Sequence, residues 1–488
     1  MAAKDFIVAI ELGSSKITGI AGKKSLDGSI QVLAVVREDA TSCIRKGVVY
    51  NIDKTSACLT NIIKKLKTLL KSEISQVYVG VGGQSIRSLR NVIVKKFPEE
   101  TIITQDMINE LMDNNRSMSY PDLEILDAAT QEYKVGTLSQ IDPVGITCSK
   151  IEGNFLNILC RKSFYRNLNK CFENANISIA EMYLAPIALA HSVLNEAEKR
   201  TGCMLVDLGA DTTTVSVYYK NILRHLAVLP IGGNNITKDI ASLQMEDSDA
   251  EKMKINYASA YTEMSEISPE KRIPIDSDRD IDQLTFVNLV EARVTEIVAN
   301  AWNQVPQEYK DRLVGGIVLT GGGSQMKEIK KAFTIVTGIQ KVRIANSVIQ
   351  TVTSTDKDIN ARNGMMNTAL GLLAKGDMNC AGSPINPQAG LFDSGGGTSS
   401  PNSDISQPKP RRTPDTGVVM TPAEKQRLED ERKQREREIA EAAARDKMEK
   451  EPQRPDEPKG GLFTRAIKNL QEFGKKLISE ETEDDDRK

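Results

Sequence analysis

Short apolar runs alternate with amphipathic stretches along most of the chain. Runs such as FIVAI (6–10), CMLV (203–206) and GIVL (316–319) each lead into a glycine-containing turn. The longer segments between them carry apolar residues three or four positions apart, the spacing of a helix that buries one face. Strands that alternate with helices are typical of α/β proteins, so the sequence predicts an α/β fold over residues 1–375.

Two of the glycine-containing turns share one pattern. ELGSSK (11–16) and DLGADTTT (207–214) each follow an apolar strand and combine an acidic residue, a glycine and small hydroxyl residues before a second strand. We interpret each as the tip of a β-hairpin. Because the pattern occurs twice, we interpret the chain as an internal duplication of a nucleotide-binding half-domain.

The two hairpin tips are candidate phosphate-binding sites. Backbone N–H groups close together in a glycine turn form a concave site that suits phosphate oxygens, and a lysine adds positive charge. The candidate ligands are Gly13, Ser14, Ser15 and Lys16 in the first tip, and Asp207, Gly209, Thr212 and Thr213 in the second. Glu11 and Asp207 occupy matching positions and are predicted to hold a hydrated Mg²⁺.

A third segment contains three consecutive glycines. Gly321, Gly322 and Gly323 follow the strand IVLT, and we expect a helix to begin near Ser324. Glycines there would let a base or ribose approach the backbone closely, and a helix N-terminus favours an anion. The three segments together predict a nucleoside triphosphate site between two halves.

The chain changes character at about residue 376. Ten of the eighteen prolines lie between 376 and 460, with SGGGTSS at 394–400 and PKPRRTP at 408–414. Such a composition cannot bury enough apolar surface to offset chain entropy, so we predict a disordered tether over 376–459. Within it, residues 423–449 are rich in helix formers, and the sequence leaves open whether they form a stable helix.

Hydrophobic periodicity returns after the tether. Over residues 460–479 the apolar side chains fall within an arc of roughly 160°, at about 100° per residue. The apolar side includes Leu462, Phe463, Ile467, Leu470, Phe473 and Leu477, and the basic side chains are Arg465, Lys468, Lys475 and Lys476. Two phenylalanines with basic flanks predict a helix that lies in a membrane interface. The alternative is a helix that docks on the folded part of the chain.

Composition excludes several other functions. The 64 basic and 66 acidic residues give a net charge of −2, so no overall positive field suggests a nucleic-acid partner. The seven cysteines form no C-x-x-C pair, and two histidines are little material for a zinc site or a catalytic triad. Charges at Lys4, Asp5, Glu11 and Lys16 argue against a signal peptide, and no transmembrane helix is expected. We therefore expect a cytosolic protein.

The order of these segments carries a resemblance. Two phosphate hairpins followed by a glycine turn are similar to the actin, heat-shock-protein-70 and sugar-kinase superfamily. More narrowly, the chain resembles the FtsA family of bacterial cell-division proteins. The matching segments are IELGSSK (10–16), VYVGVGGQSI (77–86), QEY (131–133), DPVG (142–145), LRHLAVLPIGGNNITKDIA (223–241) and the terminal helix.

The resemblance implies a function and partners. It implies an actin-like protein that binds ATP and Mg²⁺, self-associates into filaments and tethers the FtsZ ring to an anionic membrane. The expected location is the cytoplasmic face of the cell membrane, at the division septum. The FtsZ C-terminal peptide would bind within residues 236–300, and other divisome proteins would bind the inserted domain. No catalytic residue is assigned, and ATP hydrolysis is expected to be weak at most.

The resemblance also implies a division into domains. It predicts duplicated ribonuclease-H-like halves with an inserted small α/β domain. The boundaries are 1–83 and 163–203 for the first half (1A), 84–162 for the inserted domain (1C), 204–235 and 301–375 for the second half (2A), 236–300 for a second insertion (2B), 376–459 for the tether, and 460–479 for the terminal helix.

Two positions depart from the superfamily pattern. Glu11 stands where aspartate is usual, and Asp211 stands where the second hairpin usually has glycine. A carboxylate at 211 would repel phosphate oxygens if it faced them. Alternatively, Asp211 points outward as a turn residue, a type that tolerates a positive φ angle. In both cases fast hydrolysis is not expected. The rival functions on this fold are a small-molecule kinase and a pilus-assembly-type ATPase.

Overall fold

Two large sheets organise the described part of the chain, which in this computed structural model is residues 5–268 and 270–382 with the backbone of 418–419. The strands are β1 Ile7–Leu12, β2 Lys16–Lys24, β3 Ile30–Asp39, β4 Ile44–Arg45, β5 Val48–Val49, β6 Val77–Val81, β7 Arg87–Ile102, β8 Leu123–Val135, β9 Leu138–Gln140, β10 Thr147–Arg161, β11 Ile179–Leu184, β12 Cys203–Leu208, β13 Thr213–Tyr219, β14 Ile222–Leu229, β15 Arg272–Pro274, β16 Asp280–Asp282, β17 Gly316–Thr320, β18 Val342–Ile344, β19 Val352–Thr353 and β20 Val418–Val419.

Helices cover the faces of these sheets. They are α1 Ile52–Leu70, α2 Gln105–Arg116, α3 Lys162–Asn174, α4 Ala185–Val193, α5 Glu196–Thr201, α6 Gly233–Ala241, α7 Asp247–Tyr257, α8 Gln283–Asn303, α9 Gln307–Lys310, α10 Ile329–Thr337, α11 Lys357–Asn360 and α12 Asn367–Lys375, with 3₁₀ turns at Met264–Glu266 and Gly322–Gln325. None of the helices in the described ranges is long and apolar enough to cross a bilayer.

The two sheets repeat one topology. The first contains the order β3-β2-β1-β6-β11 and the second the order β14-β13-β12-β17-β18. In each, the first three strands are antiparallel and the last two join in parallel. We call the layers around the first sheet the first lobe and those around the second the second lobe. The predicted duplication of α/β halves is confirmed.

Helix α1 shows how sequence pattern becomes packing in the first lobe. Its N-cap, Asn51, accepts a hydrogen bond from the Lys54 N–H at 2.9 Å, which satisfies a backbone donor that the helix leaves free. Its apolar face buries Leu59, Ile62 and Leu66. Gly19 in β2 lets this face come close, since an added Cβ there would lie 2.3 Å from Ile62 Cγ2.

The inserted domain is a small antiparallel sheet, β7-β10-β8-β9, that packs on α2. Its core includes Leu111 and Phe155, both fully buried. The chain enters it from the first lobe, but its sheet continues the second-lobe sheet: Ala227 of β14 pairs with Arg87 of β7, and the Val228 N–H donates to the Ile86 carbonyl. The attachment to the second lobe was not expected from the sequence. The boundaries 84 and 162 remain predictions.

The end of the folded region returns to the first lobe, contrary to the predicted boundaries. Strand β19 pairs with β3, and α12 packs against α4. Gly371 allows this close packing, because an added Cβ would lie 2.8 Å from the Ala188 carbonyl oxygen. The assignment of all of 301–375 to the second half is therefore wrong over its last part. Residues 376–382, predicted as tether, also pack here, with Cys380 fully buried.

The second predicted insertion, residues 236–300, is not separate from the second-lobe core. Its boundary at 300 falls inside α8, which runs from Gln283 to Asn303. This helix buries Phe286, Val290 and Val294 in the same cluster as the strands of the second sheet. A helix whose apolar face completes a neighbouring core cannot be recognised as such from its own sequence.

Most of the tail lies outside the described residues. This applies to the predicted tether beyond residue 382, to the open question about 423–449 and to the predicted helix at 460–479. The exception is the backbone of β20, which pairs antiparallel with the edge strand β11.

Tyr78 holds residues 377–382 against the first lobe. Its hydroxyl donates to Asp377 Oδ1 at 2.8 Å and accepts the N–H groups of Asp377 and Met378 at 3.1 and 2.9 Å. We predict that Tyr78→Phe lowers the free energy of unfolding by about 1–3 kcal/mol, because two backbone donors lose their acceptor. Hydrogen exchange should rise in the peptide 377–382. The control Tyr50→Phe alters a half-exposed ring; equal effects of the two substitutions would contradict the anchoring role.

Candidate functional site

The first hairpin tip is a tight turn between β1 and β2. The Gly13 N–H donates to the Lys16 carbonyl at 3.1 Å, and an added Cβ at Gly13 would lie 2.8 Å from that oxygen. Glycine is therefore required for the turn to close. Ser14 is buried, and its Oγ accepts the Gly47 N–H at 2.8 Å. The serine thus fixes the tip against the neighbouring loop.

The second hairpin tip has the same geometry. The Gly209 N–H donates to the Thr212 carbonyl at 2.9 Å, and an added Cβ would again lie 2.8 Å from that oxygen. Thr213 is fully buried, and its hydroxyl donates to the Ile231 carbonyl at 2.9 Å. Thr213 was predicted as a phosphate ligand; its hydroxyl already holds the loop before α6.

The glycine turn at 321–323 packs against the second hairpin. Gly321 has a φ of +81°, and an added Cβ would lie 2.3 Å from Asp207 Oδ1. Gly322 is different, because the nearest atoms to an added Cβ belong to Met365 at 3.8 Å. The residues after Gly321 form a 3₁₀ turn, and the helix α10 begins at Ile329. The expected helix start near Ser324 is therefore wrong.

The three segments line a single cleft of about 1610 Å³ between the lobes. Every residue predicted to bind nucleotide or metal is on its wall: Glu11, Gly13, Ser14, Ser15, Lys16, Asp207, Gly209, Thr212, Thr213, Gly321, Gly322 and Gly323. Equivalent residues such as Gly13 and Gly209, which are 196 positions apart in the chain (209 − 13), meet here because the two sheets present their hairpins to the same space. The predicted membrane-binding residues lie outside the described part of the chain.

Two carboxylates dominate the electrostatics of the cleft. The pKa of Glu11 is raised to about 8, mainly by burial and also by the charge of Asp207, while Lys16 opposes the shift. Burial also raises the pKa of Asp207 to about 6. Both side chains keep some contact with the open cleft, so a cation could reach them. A divalent cation would relieve the repulsion between the two charges.

The residues fit Mg²⁺ better than a metal held wholly by protein. Within residues 5–268 and 270–382, no group of three or more His, Cys, Asp or Glu side chains could hold a metal ion. Mg²⁺ is commonly bound through one or two carboxylates, with waters and phosphate oxygens completing its shell. Glu11 and Asp207 are two carboxylates placed as such Mg²⁺ ligands would be.

Helices α6 and α7 form a part of the cleft wall that the sequence did not predict. Lys254 donates to the Thr237 hydroxyl at 2.8 Å and to the Gly233 carbonyl at 3.1 Å, and it pairs with Glu251 at 2.6 Å. All four residues line the cleft. The sequence of α7 is rich in charged residues, and because such runs are most often solvated, it does not indicate a position in the cleft wall.

One available signal was the glycine pair before α6. Gly232 lets the start of that helix reach the second hairpin, since an added Cβ would lie 2.6 Å from the Ala210 carbonyl oxygen. The Gly233 and Asn234 N–H groups donate to the carbonyls of Gly209 and Ala210. A glycine pair directly before a helical pattern is typical of a close approach at a helix N-terminus.

Asp211 does not face the cleft interior. Its Oδ1 accepts the Asn234 side-chain amide at 2.7 Å, and its Oδ2 accepts the Lys46 N–H at 3.2 Å. Of the two alternatives, the outward orientation is the one observed. Asp211 does not adopt the positive φ angle that such a turn residue tolerates, since it is not among the described residues with positive φ. Two hydrogen-bond donors, rather than backbone conformation, orient the carboxylate.

Comparison with known proteins identifies matching families. The profile described as "Cell division protein FtsA" matches residues 204–371, and that described as "SHS2 domain inserted in FTSA" matches residues 83–159. The FtsA of Porphyromonas gingivalis is 32% identical over 336 residues, which are 67% of this chain and 70% of that protein. The FtsA of Pseudomonas aeruginosa is 28% identical, over 66% of this chain and 78% of that protein.

A solved structure shares the fold. A chain of the PilM–PilN type IV pilus biogenesis complex superimposes with a TM-score of 0.52 at 13% identity, over 76% of this chain and 98% of that chain. At this identity the likeness concerns the fold alone. With the repeated sheets and the inserted-domain match, it confirms the predicted actin-like fold of two duplicated halves with a small inserted domain.

The raised pKa of Glu11 predicts how stability depends on pH without metal or nucleotide. The unfolded carboxyl releases its proton near 4.5 and the folded one near 8, so its contribution is fully present below 4.5. The contribution is lost as the pH rises from 4.5 to about 8, at up to about 1.4 kcal/mol per pH unit, and none of it remains above the folded pKa. We predict that Glu11→Gln removes this slope in urea unfolding measured with a chelator. The exposed control Glu99→Gln should keep it, and an unchanged slope in Glu11→Gln would contradict the assignment.

Proposed function

Because the chain belongs to the FtsA family of cell division proteins, we propose that it binds ATP, polymerises like actin and tethers the FtsZ ring to the cytoplasmic membrane. One observation carries the nucleotide part of this proposal. Two equivalent hairpin tips from different lobes face one cleft, each closed by a glycine and each with a half-buried carboxylate at its base. This arrangement suits a triphosphate with a divalent cation between the tips.

The cleft residues would share the binding of ATP and Mg²⁺. The backbone N–H groups of the two tips, with Ser14, Ser15, Lys16 and Thr212, would contact the phosphates. Glu11 and Asp207 would hold Mg²⁺, whose charge lets both carboxylates ionise at neutral pH. Gly321–Gly323 would leave room for the adenosine. When bound, Mg²⁺ would supply a cation for the two carboxylates, and ATP would supply phosphate oxygens for the hydrogen-bond donors of both tips.

We propose that nucleotide binding serves assembly more than chemistry. A ligand that contacts both lobes favours the closed arrangement over open ones, and a closed subunit presents one defined surface to its neighbours. Among the described residues that line the cleft there is no histidine, and the two deepest carboxylates are engaged by the metal in this proposal. Slow ATP hydrolysis follows, well below the roughly 1–100 s⁻¹ of kinases.

Membrane attachment is proposed from the sequence of residues 460–479. One amphipathic helix buries a single apolar face, and each basic side chain near an anionic surface adds about 1 kcal/mol. Attachment of one subunit is therefore weak. Subunits joined in a filament share many helices, and such avidity can strengthen attachment by about 10²–10⁴-fold. Polymerisation would thus fix the protein at the cytoplasmic face of the septal membrane.

The protein partners are proposed from family resemblance. The FtsZ C-terminal peptide would bind within residues 236–300, and later divisome proteins would bind the inserted domain. A test of the FtsZ site needs surface substitutions rather than a deletion, because α8 contributes Phe286, Val290 and Val294 to the second-lobe core. Removing that helix would unfold the lobe.

The nucleotide site can be tested at Gly322. An added Cβ there meets only Met365, at 3.8 Å, so the chain should fold with a side chain at this position. We predict that Gly322→Asp weakens ATP binding at least about 100-fold, or about 2.7 kcal/mol, because a carboxylate would occupy the adenosine space.

The measurement is titration calorimetry with Mg·ATP on the full chain. The matched control Gly322→Ala places only a methyl group in the cleft and should bind within about threefold of the wild type. Normal ATP affinity in Gly322→Asp would overturn the proposed site.

The membrane helix can be tested at its two phenylalanines. Phe463 lies near the centre of the apolar arc and Phe473 nearer its edge. We predict that Phe463→Glu abolishes co-sedimentation with anionic liposomes and that Phe473→Glu reduces it less, because the central charge must enter the apolar phase. High salt should weaken binding of the wild type without eliminating it. If Phe463→Glu still sediments with liposomes, the helix docks on protein instead.

A further inference from the structure

The dipeptide Lys46–Gly47 contacts three parts of the molecule at once. It forms the turn between β4 and β5, with φ angles of +51° and +71°. The Gly47 N–H donates to Ser14 Oγ in the first hairpin tip at 2.8 Å. The Lys46 carbonyl accepts the Gln84 N–H at 2.8 Å, at the start of the inserted domain.

Close packing makes this turn rigid. An added Cβ at Gly47 would lie 2.5 Å from Gly83 Cα, and one at Gly83 would lie 2.4 Å from the Gly47 carbonyl oxygen. Gly83 itself has a φ of +117°, which side chains rarely adopt. Backbone therefore meets backbone here, and a shift of one segment must move the other.

Asp211 connects the second lobe to this turn. Its Oδ2 accepts the Lys46 N–H at 3.2 Å, and the Asn234 amide fixes the other carboxylate oxygen at 2.7 Å. Asn234 belongs to α6, whose N-terminus is bonded to the second hairpin tip. The carboxylate is thus anchored on the second lobe and reaches across the cleft rim to a backbone donor of the first.

We propose that Asp211 is a positioning residue that latches the two lobes through the Lys46–Gly47 turn, so that the lobes are held together at one rim of the cleft before nucleotide binds. The superfamily pattern has glycine at this position, which offers no side chain for such a bond. The proposal rests on the proposed nucleotide function, because the γ-phosphate of a bound nucleotide would also draw the two lobes together.

The latch also couples the inserted domain to the opening and closing of the cleft, because this domain is bonded to both sides of it. Its first residues are bonded to the Lys46 carbonyl, while its sheet is attached to the second lobe. Gln131 Nε2 donates to the Leu223 carbonyl at 2.9 Å, and Ser88 Oγ accepts the Leu226 N–H at 2.8 Å. Opening of the lobes would strain both attachments, because the inserted domain spans the moving parts.

Hydrogen exchange on the full chain tests the proposal. The variants are Asp211→Ala, Asp211→Asn and Asn234→Ala, each measured without nucleotide and with Mg²⁺ and a non-hydrolysable ATP analogue. The matched control is Asp278→Ala, which removes an exposed aspartate from a second-lobe hairpin away from the cleft lining. Exchange is followed in peptides that cover residues 44–50 and 82–90.

In the wild type and the control, we expect these peptides to be protected without nucleotide and to change little when the analogue binds. In Asp211→Ala, exchange without nucleotide should be at least about fivefold faster in both peptides, and the analogue should restore protection. Asp211→Asn should be intermediate, since one oxygen remains as an acceptor. Asn234→Ala should show the same pattern with a smaller effect, and it leaves the hairpin tip unchanged.

Two results would overturn the latch. One is wild-type exchange at 44–50 and 82–90 in Asp211→Ala, and the other is an increase spread evenly over both lobes in Asp211→Ala and Asn234→Ala. Failure of the proposed nucleotide function looks different. In that case the analogue gives the wild type no added protection around Gly13 and Gly209, while the nucleotide-free comparison of variants still decides the role of Asp211.

Discussion

The placement of two carboxylates in one cleft is the constraint on which the rest of this structure depends. Glu11 and Asp207 come from equivalent hairpins in different lobes, and desolvation raises the pKa of both. The site favours a bound cation, because ionising two neighbouring, poorly solvated carboxyl groups has a high electrostatic cost. The glycine turns beside the carboxylates serve the same site. Gly13 and Gly209 keep the hairpin tips short, so a ligand in the cleft can contact backbone donors on both sides.

The lobes are joined by more than the cleft. The inserted domain begins in the first lobe, yet its strand β7 pairs with β14 of the second, and Arg90 contacts both Glu308 and Tyr309 there. The end of the folded chain returns in the opposite direction, so that α12 lies in the first lobe while Asn367 donates to Thr320 in the second. Each lobe is therefore in contact with a segment that enters it from the other lobe: the inserted domain on the second lobe and α12 in the first. The close backbone contacts between Gly47 and Gly83 fix the start of the inserted domain on the first lobe.

The family and the geometry support different parts of the functional conclusion. The family profiles match residues 83–159 and 204–371, a relative matches 67% of the chain, and together they show that the chain belongs to the FtsA family of cell division proteins. The cleft adds a chemical reason for nucleotide binding that does not depend on any relative: paired tips, paired acids and an open position at Gly322. The proposed membrane attachment depends instead on the periodicity of the tail sequence, and it can be tested without reference to the cleft.

The sequence by itself determined the local features of this protein. Strand, acid, glycine and hydroxyl residues stand next to one another in each hairpin, so their pattern alone predicted the two tips, the duplicated α/β halves and the glycine turn. Only the tertiary structure decided which distant segments complete each lobe: the return of α12, the docking of the inserted domain on β14, the contribution of α8 to a core, and the bonds of Lys254 and Asp211. The reason is physical. A turn depends on neighbouring residues, whereas an apolar helix face or a charged side chain reveals nothing in the sequence about the surface that will receive it.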